Sequence, residues 1–392
     1  MAAQYYIALI GAVSSSWPKL EPVLYKRLKE LGIDRDAIAV LAEADITTAD
    51  PRAPLVAIFF GYGGANDAFH PCLAKLITDS NSIIPCVPDV GSVSTALPVS
   101  IGHINAFPFT NNEKHIQRLA TLVLENLRLL RVERRLFISY RRSESQSVAI
   151  QLYEALDEAG FDVFLDTRSV PYAEDFQSIL WHRMADSDII ILLDTPKFRE
   201  SFWTKAELTQ ANATSVQILH VLWPDVDADD TSSFSVFMPL KRTDFVGPED
   251  TGVNARLSEK MRDNIVSRAE SLRARALAAR HRSLVDDFCD RAREENAISV
   301  AVQPERFIAV ELAKGGKVAV VPTIGVPRAD RYQEIGDGIR ELGDNTSSVW
   351  LLYDERGILE KWISHLAWLD NHLPVKSVQI SRSAEHLRRS VT

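Results

Sequence analysis

The stretch 135–223 constrains the fold more tightly than any other part of the chain. Four short runs, 136–140, 163–165, 189–193 and 218–222, are rich in Ile, Leu, Val and Phe. Runs of this length are strand-length, and near-continuous apolarity suits strands covered on both faces. Between the first two lies 143–159, where Val148, Leu152, Ala155, Leu156 and Ala159 recur at helical spacing and Gly160 supplies a stop. Strand alternating with helix predicts a parallel, doubly wound α/β sheet. Such sheets place ligands at the carboxyl ends of their strands. Those ends carry Tyr140-Arg141-Arg142 and Asp166-Thr167-Arg168.

The same logic divides the rest of the chain. Residues 1–133 read as an N-terminal α/β domain of TIR-like, flavodoxin-like or Rossmann-like type. Strands are expected at 5–13, 55–60, 83–87 and 103–107, and helices over 20–31 and 114–130. Gly61–Gly64 follows a strand and is either a tight turn or a phosphate cradle. The Gly-, Ser- and Pro-rich segment 88–104 reads as a surface loop. Residues 134–252 form the central domain, with 216–223 as its fourth strand and Phe245-Val246 as a short last one. Residues 253–297 read as a helical linker, its arginine run 268–282 solvated. Residues 298–392 form a C-terminal α/β domain, with strands at 306–312, 317–322, 349–353 and 375–380 and a helix at 359–373. Lys314-Gly315-Gly316 marks a hairpin turn, and the loop 322–327 could line a small-molecule pocket or serve only as a stiff connection.

The central stretch resembles a known family. Phe137-Ile138-Ser139-Tyr140-Arg141-Arg142, then Phe164-Leu165-Asp166, then Ser201-x-Trp203-x-x-x-Glu207-Leu208 is similar to a TIR (Toll/interleukin-1 receptor) domain of the NAD-cleaving branch found in bacterial defence proteins. The resemblance spans roughly residues 134–250 and implies a flavodoxin-like domain with a parallel sheet. It implies NAD+ as a substrate rather than a redox cofactor, and Glu207 as the catalytic carboxylate. A carboxylate beside the ribose would stabilise the cation-like transition state formed as nicotinamide leaves. Arg141 or Arg142 would meet the pyrophosphate. Trp203, four residues before Glu207, and Tyr140 would stack on a flat ring. Asp166 would orient the ligand or shape its loop. Arg168, Val170, Pro171 and Tyr172 occupy the loop that makes domain–domain contacts in this family, so self-association is expected, with a small-molecule or protein trigger acting at the flanking domains. The alternative is a non-enzymatic scaffold working through TIR–TIR contacts. A third reading has the flanking domains sense a nucleotide while the TIR domain relays.

Other classes are disfavoured. No apolar run approaches the ~18 residues of a membrane span. The amino terminus lacks a signal-peptide layout, so a cytoplasmic protein is expected. Cys72, Cys86 and Cys289 are scattered without metal spacing, and no metal is expected. A net charge of −9 disfavours a general nucleic-acid binder. Ser139 has no companion His-Asp pair, which disfavours acyl transfer. His182 is expected on a helix in a surface or packing role.

Overall fold

The computed structural model describes residues 3–50, 53–61, 70–165, 176–198, 216–228, 235–295, 297–303, 307–312, 316–341, 346 and 348–391. Among the described residues it is α/β, with three five-stranded sheets. The chain divides into two compact units, one of Met1–Glu133 with Asp263–Arg275, the other of Arg134–Arg262 with Ala276–Thr392.

The first sheet contains β1 (Tyr5–Gly11), β2 (Ile38–Ala42), β3 (Leu55–Phe60), β4 (Ser82–Val87) and β5 (Phe107–Pro108). All pair in parallel, in the order β2-β1-β3-β4-β5. This is the flavodoxin-like order. The edge strand β2 was not foreseen from the sequence. Gly11 adopts φ +80°, and a Cβ there would lie 2.5 Å from the carbonyl oxygen of Phe60, so only glycine allows β1 and β3 to part at this point. Helices α1 (Trp17–Glu30), α2 (Pro71–Thr78), α3 (Val93–Ala96) and α4 (Glu113–Asn126) complete the layer set. Asn112 caps α4 by accepting from the His115 amide at 2.7 Å. The expected surface loop 88–104 is instead partly interior, with Ala96, Leu97 and Ile101 packed into the core.

The second sheet contains β6 (Arg135–Ser139), β7 (Asp162–Leu165), β8 (Ile189–Asp194), β9 (Gln217–Leu222) and β10 (Ser235–Pro239). It is also fully parallel, with order β10-β9-β8-β6-β7, so the first two sheets share one topology. Helix α5 (Arg142–Glu158) ends at Gly160, φ +82°. Helix α6 (Phe176–Asp186) follows β7. Leu180 and Met184 of α6 cover Phe137, Ile190, Leu192 and Ile218. The fifth strand is β10; the expected strand at Phe245-Val246 is reduced to a single bridge between Phe245 and Leu257.

One helix, α7 (Glu259–Glu294), replaces the expected solvated linker. Ile265, Ala269 and Leu272 are buried in the first unit, and Leu284, Phe288 and Ala292 in the second. Two arginines of the run, Arg273 and Arg280, are interior as well, whereas Arg268, Arg275 and Arg282 are exposed as expected. Arg273 is wholly buried; it donates to Glu125 at 2.7 Å and to the carbonyls of Arg131 and Glu133. Arg27, also buried, donates to Thr121 and Gln117, and Thr121 donates to Glu270 at 3.0 Å. Burial pushes the Arg27 guanidinium down to about 10, which leaves it charged at neutral pH. Guanidinium groups tolerate such sites because several fixed acceptors replace their weak hydration.

The third sheet contains β11 (Ser299–Val302), β12 (Ile308–Glu311), β13 (Lys317–Pro322), β14 (Ser348–Tyr353) and β15 (Val375–Gln379). The first two pairings are antiparallel, and β13, β14 and β15 are parallel. Strand β11 and the helices α8 (Ala329–Glu341) and α10 (Ser383–Val391) add to the expected elements, which include α9 (Glu360–His372). Alternation sets the faces. Val318, Val320, Trp350, Leu352 and Val378 pack with Phe288 and Leu387; Ala319, Leu351, Tyr353 and Val375 pack with Tyr332 and Leu366.

Removing one member of the buried Arg273–Glu125 pair strands the other charge. Arg273→Met is expected to destabilise the first unit by about 3–5 kcal/mol, whereas losing the exposed Arg389–Glu385 pair through Arg389→Ala costs less than about 0.5 kcal/mol. Denaturant titration of both variants checks the contrast.

Candidate functional site

In a 2-1-3-4-5 sheet the strand order reverses between the first and third strands, and ligands bind at the carboxyl ends there. In the central domain this point lies between β6 and β8. The polar side chains at those ends, Ser139 and Tyr140 at the end of β6 and Asp194 and Thr195 at the end of β8, are all buried. Buried polar groups concentrated at a sheet's switch point mark it as the candidate site.

Arg141 closes this edge. Its guanidinium donates to the carbonyl of Lys197 and, through Nε, to Ser143 Oγ at 3.3 Å. Glu144 Oε2 accepts from the Lys197 amide at 3.1 Å. The two side chains thus clamp both polar groups of one peptide residue just after β8. The clamp follows from the turn into α5: Arg141 is extended at the N-cap, so it and Glu144 reach the same neighbour. Arg142 is the exposed first residue of the helix. Tyr140, expected as a stacking partner, has its side chain buried.

The remaining sequence candidates, Asp166, Arg168, Val170, Pro171, Tyr172, Trp203 and Glu207, lie outside the described residues, as does most of Gly61–Gly64 and the turn at Lys314-Gly315. The clamped Lys197 leads directly toward the Trp203-x-x-x-Glu207 segment in sequence.

Sequence reasoning missed Glu144, Asp194 and Thr195, since a partner 53 residues away leaves no local pattern. It also missed a line of groups on the sheet. His220 Nε2 lies 3.0 Å from Ser235 Oγ, and its Nδ1 lies 3.7 Å from Asp194. The second distance is too long for the hydrogen bond that orients a catalytic imidazole. These groups are packing, with His220 against Phe237. Among the described residues no group of His, Cys, Asp and Glu is placed to hold a metal ion, and no helix is long and apolar enough to cross a membrane.

Beside the site, α6 is gripped by the C-terminal domain. Asp186 takes Arg135 on one side and the Val326 amide, at 3.0 Å, on the other. Arg280 of α7 donates to the carbonyls of Ala185 and Ser187 at 2.7 and 2.8 Å, capping the carboxyl end of α6 where cations are favoured. Gly357, φ +83°, lets its loop approach to where a Cβ would meet the Trp181 carbonyl at 3.2 Å. His182 stacks on Trp362 with ring centroids 5.6 Å apart, and its Nδ1 faces the Leu359 amide. A packing role for His182 was among those expected from sequence.

Burial pushes the His182 imidazole down to about 4, against a weaker opposing pull from Asp186. The unfolded chain therefore takes up a proton that the folded one refuses. The stability due to neutral His182 is complete above pH 6.5 and declines as pH falls toward 4. His182→Phe is expected to flatten the fall in melting temperature of the second unit between pH 6.5 and 5, as followed by calorimetry. An unchanged slope would show that His182 is not held neutral.

Comparison with known proteins bears on the middle of the chain. No protein of curated function matches it. Among solved structures, one from Silicibacter pomeroyi DSS-3, provisionally described as a phosphosugar isomerase, aligns over 70% of this chain and 86% of its own at 10% identity. Its TM-score of 0.18 carries no structural argument. A family model described as "TIR domain" matches residues 136–257, which span β6 to the bridge at Leu257. With its flavodoxin-like parallel sheet, the region 136–257 of this chain is a TIR domain.

Proposed function

We propose that the TIR domain cleaves NAD+ at the bond between nicotinamide and ribose, releasing nicotinamide and ADP-ribose or a cyclised form. The observation that carries this reading is the clamp of Arg141 and Glu144 on Lys197. It fixes the exit of β8 at the switch point, directly before the segment that bears Trp203 and Glu207. In this reading Glu207 faces the ribose and stabilises positive charge as the glycosidic bond breaks. Nicotinamide leaves as a neutral pyridine, so no second acid is required. Water captures the ribosyl cation in hydrolysis, and a nucleophile within the dinucleotide captures it in cyclisation. Trp203 is assigned to a ring, Arg142 and Asp166 to the phosphates and ribose; the buried Tyr140 side chain would support the site from below.

Self-association through the 166–175 segment, which holds Arg168, Val170, Pro171 and Tyr172, would complete the site. The flanking domains would then respond to a trigger, in a cytoplasmic defence or signalling role that ends in NAD+ depletion.

The test is NAD+ consumption by purified full-length protein, wild type beside Glu207→Ala, over a range of protein concentrations with a crowding agent. The wild type is expected to release nicotinamide at a rate per molecule that rises with concentration. Glu207→Ala should fall by at least about 100-fold, the scale of losing a principal charge-stabilising group. Equal rates would remove Glu207 from the mechanism. Silence of both proteins across the whole range would favour the non-enzymatic scaffold.

A further inference from the structure

The uncovered edge of an open sheet presents unpaired amides and carbonyls to any strand that can match it. The third sheet ends on β11, which pairs with β12 on one side; among the described residues no strand lies on its other side. Its residues, Ser299-Val300-Ala301-Val302, are exposed except for a half-buried Val300. The opposite edge of the same sheet, β15, has Val375, Ser377 and Val378 buried. Proteins protect open edges with charges or proline. In the TIR sheet, β7 opens on Asp162 and β10 closes on Pro239. Strand β11 carries neither protection.

The hydrogen-bonding pattern fixes which groups face outward. The Leu312 amide donates to the Gly316 carbonyl, so the even-numbered residues of β12 bond toward β13 and the odd-numbered ones toward β11. The Gln303 amide accordingly donates to the Phe307 carbonyl at 2.8 Å. Ser299 and Ala301 therefore bond inward, opposite Glu311 and Ala309. Val300 and Val302 turn their amides and carbonyls outward. Side chains alternate as well. Val302 shares the face of Val300, which packs against the core cluster of Phe288 and Val310, yet Val302 is 55% exposed.

This edge is complementary to itself. Two copies laid antiparallel about Ala301 set Val300 of each opposite Val302 of the other, and each such pair exchanges both of its backbone hydrogen bonds. Opposed β-branched side chains suit such a pair, and no charge on the strand opposes the approach. A second copy brings the matching valines by symmetry, as a two-fold contact requires. A strand of this length spans about 13 Å and covers far less than the ~800 Å² per partner of a stable complex. The contact is thus weak by itself and gains strength where chains are already held together.

We propose that β11 is a two-fold docking edge for a second copy of this chain, joining two third sheets into one continuous sheet. The contact is separate from the 166–175 segment, and its test does not involve NAD+ cleavage.

The register supplies the test. In the paired sheet Ala301 meets its own counterpart in a non-hydrogen-bonded pair, with Cα atoms ~4.5 Å apart, a separation that a disulfide spans. Ser299 lies about 13 Å from its counterpart, beyond a disulfide's reach. Both residues are exposed. Full-length wild type, Ala301→Cys and Ser299→Cys are oxidised with diamide over a rising concentration series. Dimers are followed on non-reducing gels, and the bonded cysteines are identified by peptide mapping. Ala301→Cys is expected to bond to its counterpart at least about tenfold faster than Ser299→Cys, whose geometry forbids the bond. Adding Val302→Lys to Ala301→Cys should lower the rate to that of Ser299→Cys, since it places a charge on the edge of each copy. Melting curves confirm that all variants fold. The proposal is overturned if Ala301→Cys bonds no faster than Ser299→Cys at any concentration, if Val302→Lys leaves its rate unchanged, or if the chains sediment as dimers without forming that bond.

Discussion

The second unit depends on the carboxylate of Asp186. It is buried at the last residue of α6, where water cannot solvate it. Such a charge costs several kcal/mol unless fixed donors replace its hydration. Arg135, at the start of β6, supplies one, and the Val326 amide, beyond β13, supplies another. A single side chain therefore joins the first strand of the TIR sheet to the third sheet. Around it, Arg280 caps the same helix, Gly357 makes room for it and Trp362 stacks on His182. Helix α6 is thus part of both cores, as Ala185 shows by packing with Tyr332, Ile358 and Leu366.

This matters for regulation because α6 directly follows the 166–175 segment in sequence. Under the proposed function, that segment carries the assembly contacts. A domain that fixes the helix behind it is well placed to bias those contacts. Arg280 of α7 holds the carboxyl end of that helix as well.

Much of the fold was legible because burial on both faces writes itself as apolar runs. The strands near 136–140, 189–193 and 317–322 and the stop at Gly160 follow from local chemistry alone. What escaped was set by distant partners. The strand β10 reads Ser-Val-Phe-Met-Pro and β2 reads Ile-Ala-Val-Leu-Ala, edge sequences that are short and only partly buried. Arg273 and Arg280 looked like surface charges because nothing in a helical arginine run reveals carbonyls and a carboxylate waiting elsewhere. At the site, Tyr140 and Arg141 announced themselves at a strand end, whereas Glu144 acquires its meaning only from Lys197. The loop 322–327 was read as either pocket or stiff connection, and the cleft it lines at Thr323, Ile324 and Gly325 has room for about one water.

The shared helix is the central structural claim, and native-state hydrogen exchange in rising denaturant tests it most directly. If α6 binds the two sheets into one cooperative body, the amides of β8 and β14 should open with the same free energy and the same denaturant dependence. If β14 exchanges through a separate, lower-energy opening while β8 stays protected, the third sheet is an independent neighbour and the account of α6 fails.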